Sequence, residues 1–435
     1  MATATAEHHW ERDRAGQTVR HSALTTLVTW CLVYAIVFIN AADFRGDTGE
    51  QFTVHWQIYL RLMICGACGM LGLALFSKSF HVFMTFPGFM MTLLIAWIGI
   101  TLPFSIDRNF SIAAFVSLGA VTLLIPAAIQ VLGAGRFLLA VAAGLITFLI
   151  GSWIAYLFFP EIGIFKEQVS QTEVVQRMGG LGHPNELGLY SAFTAVLFAV
   201  LGYARRLPWW LAGTAILLAF ATLVVCFSRT SIAIAFVGLL VVFRHELLTR
   251  HAITNLLLLS VLLLPVLFYV AGTGQLDWYI DDALQKVSKS GTSDELTTAT
   301  GRTEIWAYAL KMIGEQPLHG YGYVTARFVM EDHSYHCHNI VLNMSLYTGV
   351  VGGLLLMSIL FYLGSMILRE PRYEVDGLMG VILAGGLIDG MLFAPVPSAS
   401  ILILTSALVW RQLDMQLERL PRHADVRRTS LPAKA

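Results

Sequence analysis

Apolar runs of about 20 residues follow one another along most of the chain, separated by short polar connections. As helices, runs of this length match the thickness of the hydrocarbon core of a bilayer. The pattern predicts about twelve spanning helices, at residues 22–42, 57–76, 82–103, 110–132, 136–159, 186–204, 208–227, 230–243, 253–271, 339–366, 377–393 and 398–413. We therefore expect an all-α integral membrane protein.

The distribution of positive charge indicates which ends of the predicted spans face the cytoplasm. With the N-terminus in the cytoplasm, the inner segments carry most of the Lys and Arg residues: Arg12, Arg14, Arg20, Lys78, Arg136, Arg205, Arg206, Arg244, Arg250, Arg369, Arg372 and the arginines of the C-terminal tail. The short outer connections carry Arg45, Arg108 and Arg229. Because positive charge is retained on the cytoplasmic side of membranes, we expect both termini in the cytoplasm.

Two outer segments are longer than turns, at residues 160–184 and 272–338. Within the second, residues 276–288 and 300–316 have helical spacing, and Pro317 would end the later helix. The expected division is therefore a nine-span bundle at 1–271, a large outer loop at 272–338, C-terminal spans at 339–413 and a tail at 414–435.

The composition supports this fold class. Hydrophobic residues make up 56% of the chain and charged residues 13%, whereas soluble domains average about 25% charged residues. Lys plus Arg and Asp plus Glu each total 28. We expect membrane lipids to surround the bundle, and we expect no nucleic acid among its partners.

Several polar residues fall at the outer ends of the predicted spans. Arg229 follows the seventh span, Arg302 opens the later loop helix, and His338 begins the tenth span. Arg61 and Asp389 lie about one turn inside the second and eleventh spans. Charged residues inside a span are costly and usually face the interior of the bundle, so these positions predict a polar site at the outer face.

Each of these charges also has a structural explanation. Arg229 could anchor a helix end by extending to the interface, and Arg302 could lie on a solvated helix face. Arg61 and Asp389 could pair with each other inside the bundle.

His338 stands where the large loop meets the tenth span, and Asn339, Gly349 and Gly352 follow it. The two glycines would let a neighbouring helix approach closely, as small residues do in membranes. We expect them to act indirectly, by fixing where His338 points.

The histidines of the loop allow two alternatives. His333, His336 and His338 could hold a zinc ion, although residues two apart on a helix point in different directions. Cys337 could act as a nucleophile, but no partner base is evident for it. We expect no metal and no cofactor.

Two arginines and one histidine are sufficient for a group transfer outside the membrane. Because no ATP is available there, the substrate must already be activated, and a lipid-linked diphosphate sugar meets that requirement. The arginines could neutralise the leaving diphosphate, and the histidine could remove a proton from an attacking sugar hydroxyl.

The chain contains GLGHPNELG at 180–188, SRTS at 228–231, TGRTEIW at 300–306, PLHGYGY at 317–323, and His338-Asn339 followed, after nine intervening residues, by Gly349-Val-Val-Gly352. This ordered set of motifs resembles the family of bacterial O-antigen ligases and polymerases. The last motif is most similar to that of the ligases.

The resemblance implies a GT-C-like glycosyltransferase of the bacterial inner membrane with its site on the periplasmic side. His338 would be the catalytic base, and Arg229 and Arg302 would bind the diphosphate of an undecaprenyl-linked O-antigen donor. The acceptor would be the outer-core sugar of lipid A-core, and the metal-independent transfer would invert the anomeric centre. The resemblance implies further pocket positions at Arg61, Asp389, Asn339 and His183.

Three alternatives share features of this pattern. An O-antigen polymerase would use the same donor with a second lipid-linked repeat as acceptor, and a protein O-oligosaccharyltransferase would glycosylate Ser or Thr. A transporter would also place charges inside spans, but transporters usually bind near the bilayer midplane between related halves.

Overall fold

The computed structural model describes residues 22–43, 56–168, 174–247, 302–330, 333–369, 372–388 and 393–419. The helices are α1 (Ala23–Phe38), α2 (Trp56–Ala74), α3 (Phe76–Met84), α4 (Gly88–Thr101), α5 (Arg108–Phe158), α6 (Pro160–Gly163), α7 (Pro184–Tyr203), α8 (Trp209–Val225), α9 (Arg229–Val242), α10 (Arg244–Leu247), α11 (Arg302–Glu315), α12 (Ala326–Val329), α13 (Ile340–Arg369), α14 (Tyr373–Ile388) and α15 (Ala399–Arg419), with a 3₁₀ turn at Leu102–Phe104. Two strands complete the described elements, β1 (Ile164–Gln168) and β2 (Val174–Met178).

Each predicted span within the described residues contains helix, but the predicted span at 82–103 is divided between α3 and α4, and α3, which begins at Phe76, includes the predicted connection at 77–81. Four of them, α2, α5, α7 and α13, are long and apolar enough to cross a membrane, and α3 with α4 forms a pair bent by 91° that qualifies together. Helices α1, α8, α9 and the first part of α15 are apolar but shorter. This set is compatible with an all-α membrane protein. The ninth predicted span and the predicted helix at 276–288 lie outside the described residues, and the total of about twelve spans stays a prediction.

Helix α5 contains two of the predicted spans because it is interrupted at Gly133. This residue has φ 72° and ψ 157°, a conformation that is accessible almost only to glycine. The chain therefore leaves one helical arm and starts the next at the connection that the sequence predicts between 132 and 136. At the N-terminus of α5, the Asp107 side chain accepts a hydrogen bond from the Phe110 amide at 3.0 Å and caps the helix.

A two-stranded ribbon departs from the purely helical expectation. Strands β1 and β2 pair antiparallel, from Ile164 opposite Met178 to Gln168 opposite Val174. They lie in the outer segment 160–184, for which the sequence analysis predicts no strands. Each strand has five residues, and neither IFKEQ nor VVQRM alternates apolar and polar positions, so the sequence gives no periodic strand signal here.

Helix α7 lies at the centre of the bundle. Nearly all of its residues are buried, and it packs against α5, α8, α9 and α14. Helices α9 and α14 approach each other closely at Gly238 and Gly377, where an added Cβ on Gly238 would lie 3.1 Å from the Gly377 carbonyl oxygen. Small residues at such crossings permit close helix packing in membranes.

An ion pair joins α10, which follows the C-terminal end of α9, to α14. Arg244 NH2 lies 2.6 Å from Asp376 Oδ2, and the same oxygen accepts a hydrogen bond from the Arg372 amide at 2.5 Å. The Asp376 side chain is fully buried. The arginines belong to connections that the charge distribution assigns to the cytoplasm.

Candidate functional site

Asn339 is the residue that fixes the start of α13. Its Oδ1 accepts hydrogen bonds from the amides of Val341 at 3.0 Å and Leu342 at 3.1 Å, which is the geometry of a helix N-cap. Its Nδ2 donates to the carbonyl oxygen of Leu387 at 3.3 Å. Asn339 therefore joins the first residue of α13 to the last turn of α14.

His338 precedes this cap and has a left-handed backbone, with φ 50°. Its neighbour Cys337 donates its amide to Asn343 Oδ1 at 2.8 Å and accepts from Trp306 Nε1 at 2.8 Å. The His338 side chain is half-buried and its Nδ1 atom is buried. Because both adjacent residues are fixed by hydrogen bonds, the backbone of His338 has a defined position at the start of α13.

Arg302 approaches this region through α11. Arg302 and Trp306 are four residues apart and therefore share one face of the helix. Trp306 is the residue that binds the carbonyl before His338, so Arg302 lies on the helix face that meets the His338 segment.

Arg229 begins α9 after a tight turn. Phe227 in that turn has φ 50°, and the hydroxyls of Ser228 and Ser231 are 2.7 Å apart. The turn lies against α7 at Gly188, where an added Cβ would be 2.5 Å from Ser231 Oγ. The SRTS and GLGHPNELG motifs are thus in contact, and Arg229 is half-buried with its NH1 atom buried.

Three helices converge around the last turn of α14. An added Cβ on Gly385 would lie 3.4 Å from Leu189 of α7 and 3.6 Å from Ile234 of α9. An added Cβ on Gly386 would lie 2.5 Å from Ile340, the first residue of α13. The N-terminal parts of α7, α9 and α13 therefore gather at one end of the bundle, and each helix N-terminus carries a partial positive charge. Asp389 follows α14 and lies outside the described residues.

Arg61 lies near the same end, beside the chain that leaves α1. Its NH2 donates to the Ala42 carbonyl oxygen at 2.5 Å, and Gln57 Nε2 donates to that oxygen at 2.7 Å. Arg61 and Glu186 both interact electrostatically with Tyr190 of α7. The arginine is therefore close to the N-terminal part of α7.

His183 is the N-cap residue of α7. Its Nδ1 accepts a hydrogen bond from the Asn185 amide at 3.3 Å, and Pro184 occupies the first helical position, where proline is favoured. The imidazole packs edge-on against Phe165 of β1, with 4.8 Å between the ring centres. These contacts hold the GLGHPNELG segment against the ribbon.

Gly349 interrupts α13 and contacts the loop segment that follows α11. Its φ of 76° and ψ of 178° are non-helical, and an added Cβ would collide with Leu318 and lie 2.7 Å from the Pro317 carbonyl oxygen. The Val350 amide donates to that oxygen at 2.8 Å. The backbone that approaches Gly349 most closely belongs to Pro317 and Leu318, so the break seats the PLHGYGY segment.

Gly352 lies one turn after the break. An added Cβ there would press on the Thr348 side chain and lie 3.3 Å from Trp97 of α4. Trp97 Nε1 donates to the Thr348 carbonyl oxygen at 2.8 Å. Gly352 therefore lets α4 lie against the break in α13.

The loop histidines do not all face one another. His333 stacks on Tyr308, with ring centres 3.9 Å apart, whereas the rings of His336 and His338 are neighbours at 4.1 Å. Among the residues that the structure describes, no three His, Cys, Asp or Glu side chains form a group that could hold a metal ion.

Cys337 lacks the properties of a nucleophile. Its side chain is buried, its Sγ lies 3.4 Å from Met330 Sδ, and burial raises the pKa of the thiol to about 12. A nucleophilic cysteine requires a thiolate.

Three residues near these positions are not singled out by the sequence. Arg177 of β2 is buried and binds Asn185, Glu186 acts on Tyr190, and Trp306 supports the His338 segment. The β-branched pair Val174–Val175 is the local feature that could have placed Arg177 on a strand.

A family model described as O-antigen ligase matches residues 214–357, about a third of the chain. The match supports an O-antigen ligase family assignment. A search of curated proteins found no match. The range matched to the O-antigen ligase model includes Arg229, Arg302, His338, Asn339, Gly349 and Gly352. The residues Arg61, His183 and Asp389 lie outside it.

Proposed function

We propose that this chain is an O-antigen ligase, which transfers a preassembled O-antigen polysaccharide from undecaprenyl diphosphate to the outer-core sugar of lipid A-core. The observation that carries the proposal is that the family match contains Arg229, Arg302 and His338. The N-termini of α9 and α13, next to Arg229 and His338, also gather around the end of α14.

In the proposed reaction, Arg229 and Arg302 bind the diphosphate of the donor. Bidentate contacts from guanidinium groups neutralise the charge that develops as diphosphate leaves, and the N-terminal ends of α7 and α9 favour the same negative charge. This arrangement would make a metal ion unnecessary for departure of the leaving group.

His338 would act on the acceptor. Its neutral imidazole removes the proton from a hydroxyl of the outer-core sugar, and the hydroxyl oxygen forms a bond to the anomeric carbon. The bond from that carbon to the diphosphate oxygen breaks at the same time, and undecaprenyl diphosphate leaves with the electron pair. Because attack and departure occur on opposite faces, the anomeric centre is inverted.

The proposal includes a location in the bacterial inner membrane, with the site on the periplasmic side and both termini in the cytoplasm. Two contacts support this assignment, each between residues of connections assigned to the inner side: an added Cβ on Gly135 would be 3.6 Å from Arg206 Cζ, and Arg244 pairs with Asp376. The arrangement is in accord with the positive-inside rule. The division into a bundle at 1–271, a periplasmic loop at 272–338 and spans at 339–413 belongs to the same proposal.

The test combines purified protein, an undecaprenyl-diphosphate glycan and lipid A-core in detergent, with EDTA present. We expect a ladder of glycan on lipid A-core that is lost in Arg229→Ala and in Arg302→Ala. Lys311→Ala is the matched control, because Lys311 is an exposed cation on the helix that carries Arg302. Elongation of the donor on itself without lipid A-core would instead assign a polymerase, and loss of activity in EDTA would contradict the metal-independent step.

A further inference from the structure

Arg177 is a deeply buried cation on the ribbon beside the candidate site. Its side chain is 3% exposed. A guanidinium group removed from water is strongly unfavourable unless charges or hydrogen bonds replace its hydration. The contacts that replace this hydration therefore indicate the role of Arg177 in the structure.

Those contacts connect two segments that bear on the site. Arg177 Nε donates to the Cys226 carbonyl oxygen at 3.0 Å, and NH2 lies 3.4 Å from the Phe227 carbonyl oxygen. NH2 also donates to Asn185 Oδ1 at 3.1 Å. Cys226 is the C-cap residue of α8, and at a helix C-terminus both the carbonyl groups without helical partners and the helix dipole favour a cation. The Arg177 guanidinium thus joins the end of α8 to the first turn of α7.

The turn held in this way has an unfavourable backbone. Phe227 is in the left-handed region with φ 50°, and a bulky residue persists there only when its surroundings fix it. Two residues later the chain begins α9 with Arg229. Arg177 binds the carbonyl oxygens of Cys226 and Phe227 in this turn. The direction in which the chain enters α9 at Arg229 therefore depends on a turn conformation that Arg177 stabilises.

We propose that Arg177 is a positioning residue that holds the Cys226–Phe227 turn so that Arg229 faces the diphosphate of the donor. This inference rests on the diphosphate role that the proposed function gives to Arg229. The proposed role is positioning, because the contacts of Arg177 with Cys226, Phe227 and Asn185 are contacts with protein atoms.

The test measures binding of inorganic pyrophosphate by calorimetry, with the purified full chain and without any transfer reaction. Arg177→Lys keeps the charge but cannot make the forked contact, and we expect it to weaken binding about tenfold, equivalent to about 1.4 kcal/mol. In an Arg229→Ala background, the same substitution should change binding less than about twofold. An equal effect in both backgrounds, or no effect with Arg229 present, overturns the proposal.

Two further variants separate positioning from folding. Phe227→Gly adopts the left-handed turn without support, so Arg177→Lys should have a much smaller effect in that background. An undiminished effect there contradicts the proposal even if Arg177→Lys lowers the melting temperature. Lys166→Gln is the control, because it removes an exposed cation from the same ribbon and should leave binding unchanged.

The outcome is separable from that of the proposed function. If the wild type binds pyrophosphate with the expected pattern but transfers no glycan, the ligase assignment fails and the positioning role stands. If the wild type transfers glycan and Arg177→Lys binds pyrophosphate normally, only the positioning role fails. Absence of pyrophosphate binding by the wild type overturns the positioning role together with the diphosphate role of Arg229.

Discussion

Substitution of Gly349 by alanine tests whether the break in α13 seats the loop segment above it. The backbone at φ 76° and ψ 178° costs a non-glycine residue about 1–3 kcal/mol. The new Cβ would collide with Leu318 and displace the hydrogen bond from Val350 to Pro317, which contributes about 0.5–1.5 kcal/mol. We expect Gly349→Ala to destabilise the native state by about 2–4 kcal/mol.

The measurement is the apparent melting temperature in one detergent, compared across a series of glycine substitutions. Gly314→Ala is the matched control, because Gly314 lies within α11 with no atom near an added Cβ, and alanine is the better helix former. Gly352→Ala should fall between the two, since rotation of the Thr348 side chain can make room for it. Equal melting temperatures for Gly349→Ala and Gly314→Ala would refute the seating role of the break.

Three further predictions concern single contacts. Asp376→Ala should destabilise the protein by about 3–5 kcal/mol because it leaves Arg244 partly buried without its carboxylate, and the double variant with Arg244→Leu should recover part of that loss in a thermal melt. Cys337→Ala should retain glycan transfer. Native Cys337 should also resist alkylation at pH 8, because a thiol pKa of about 12 leaves about one thiol in 10⁴ ionised. Rapid alkylation would contradict the burial of this side chain. Asn339→Ala should lower activity by displacing His338 and remove about 1 kcal/mol of capping energy, whereas Asn339→Ser should retain most activity in the same assay; equal losses would argue against a capping role.

The apolar pattern predicts the helices well because a helix surrounded by lipid must consist mostly of apolar residues. This composition can be recognised in the sequence of each helix separately. The break at Gly133 follows from the same pattern, since the Gly-Ala-Gly connection before Arg136 separates two apolar runs of spanning length. Hydropathy does not report what a residue contacts. The break at Gly349 lies inside an apolar run, and its cause is the distant Pro317–Leu318 segment.

The candidate site is predictable only in part for the same reason. His338, Arg229 and Arg302 occupy recognisable boundary positions, and their motifs supply roles by resemblance. Arg177 lies in a short polar connection, and its importance depends on carbonyl oxygens about 50 residues away in the chain. No local pattern encodes that contact.

The central claim is that His338 removes the acceptor proton, and the direct measurement is the rate of glycan transfer to lipid A-core by His338→Ala. His333→Ala is the matched control, because His333 belongs to the same loop but stacks on Tyr308. We expect His338→Ala to lose at least about 100-fold in rate while binding pyrophosphate as the wild type does, and His333→Ala to remain active. Transfer at the wild-type rate by His338→Ala would contradict the account.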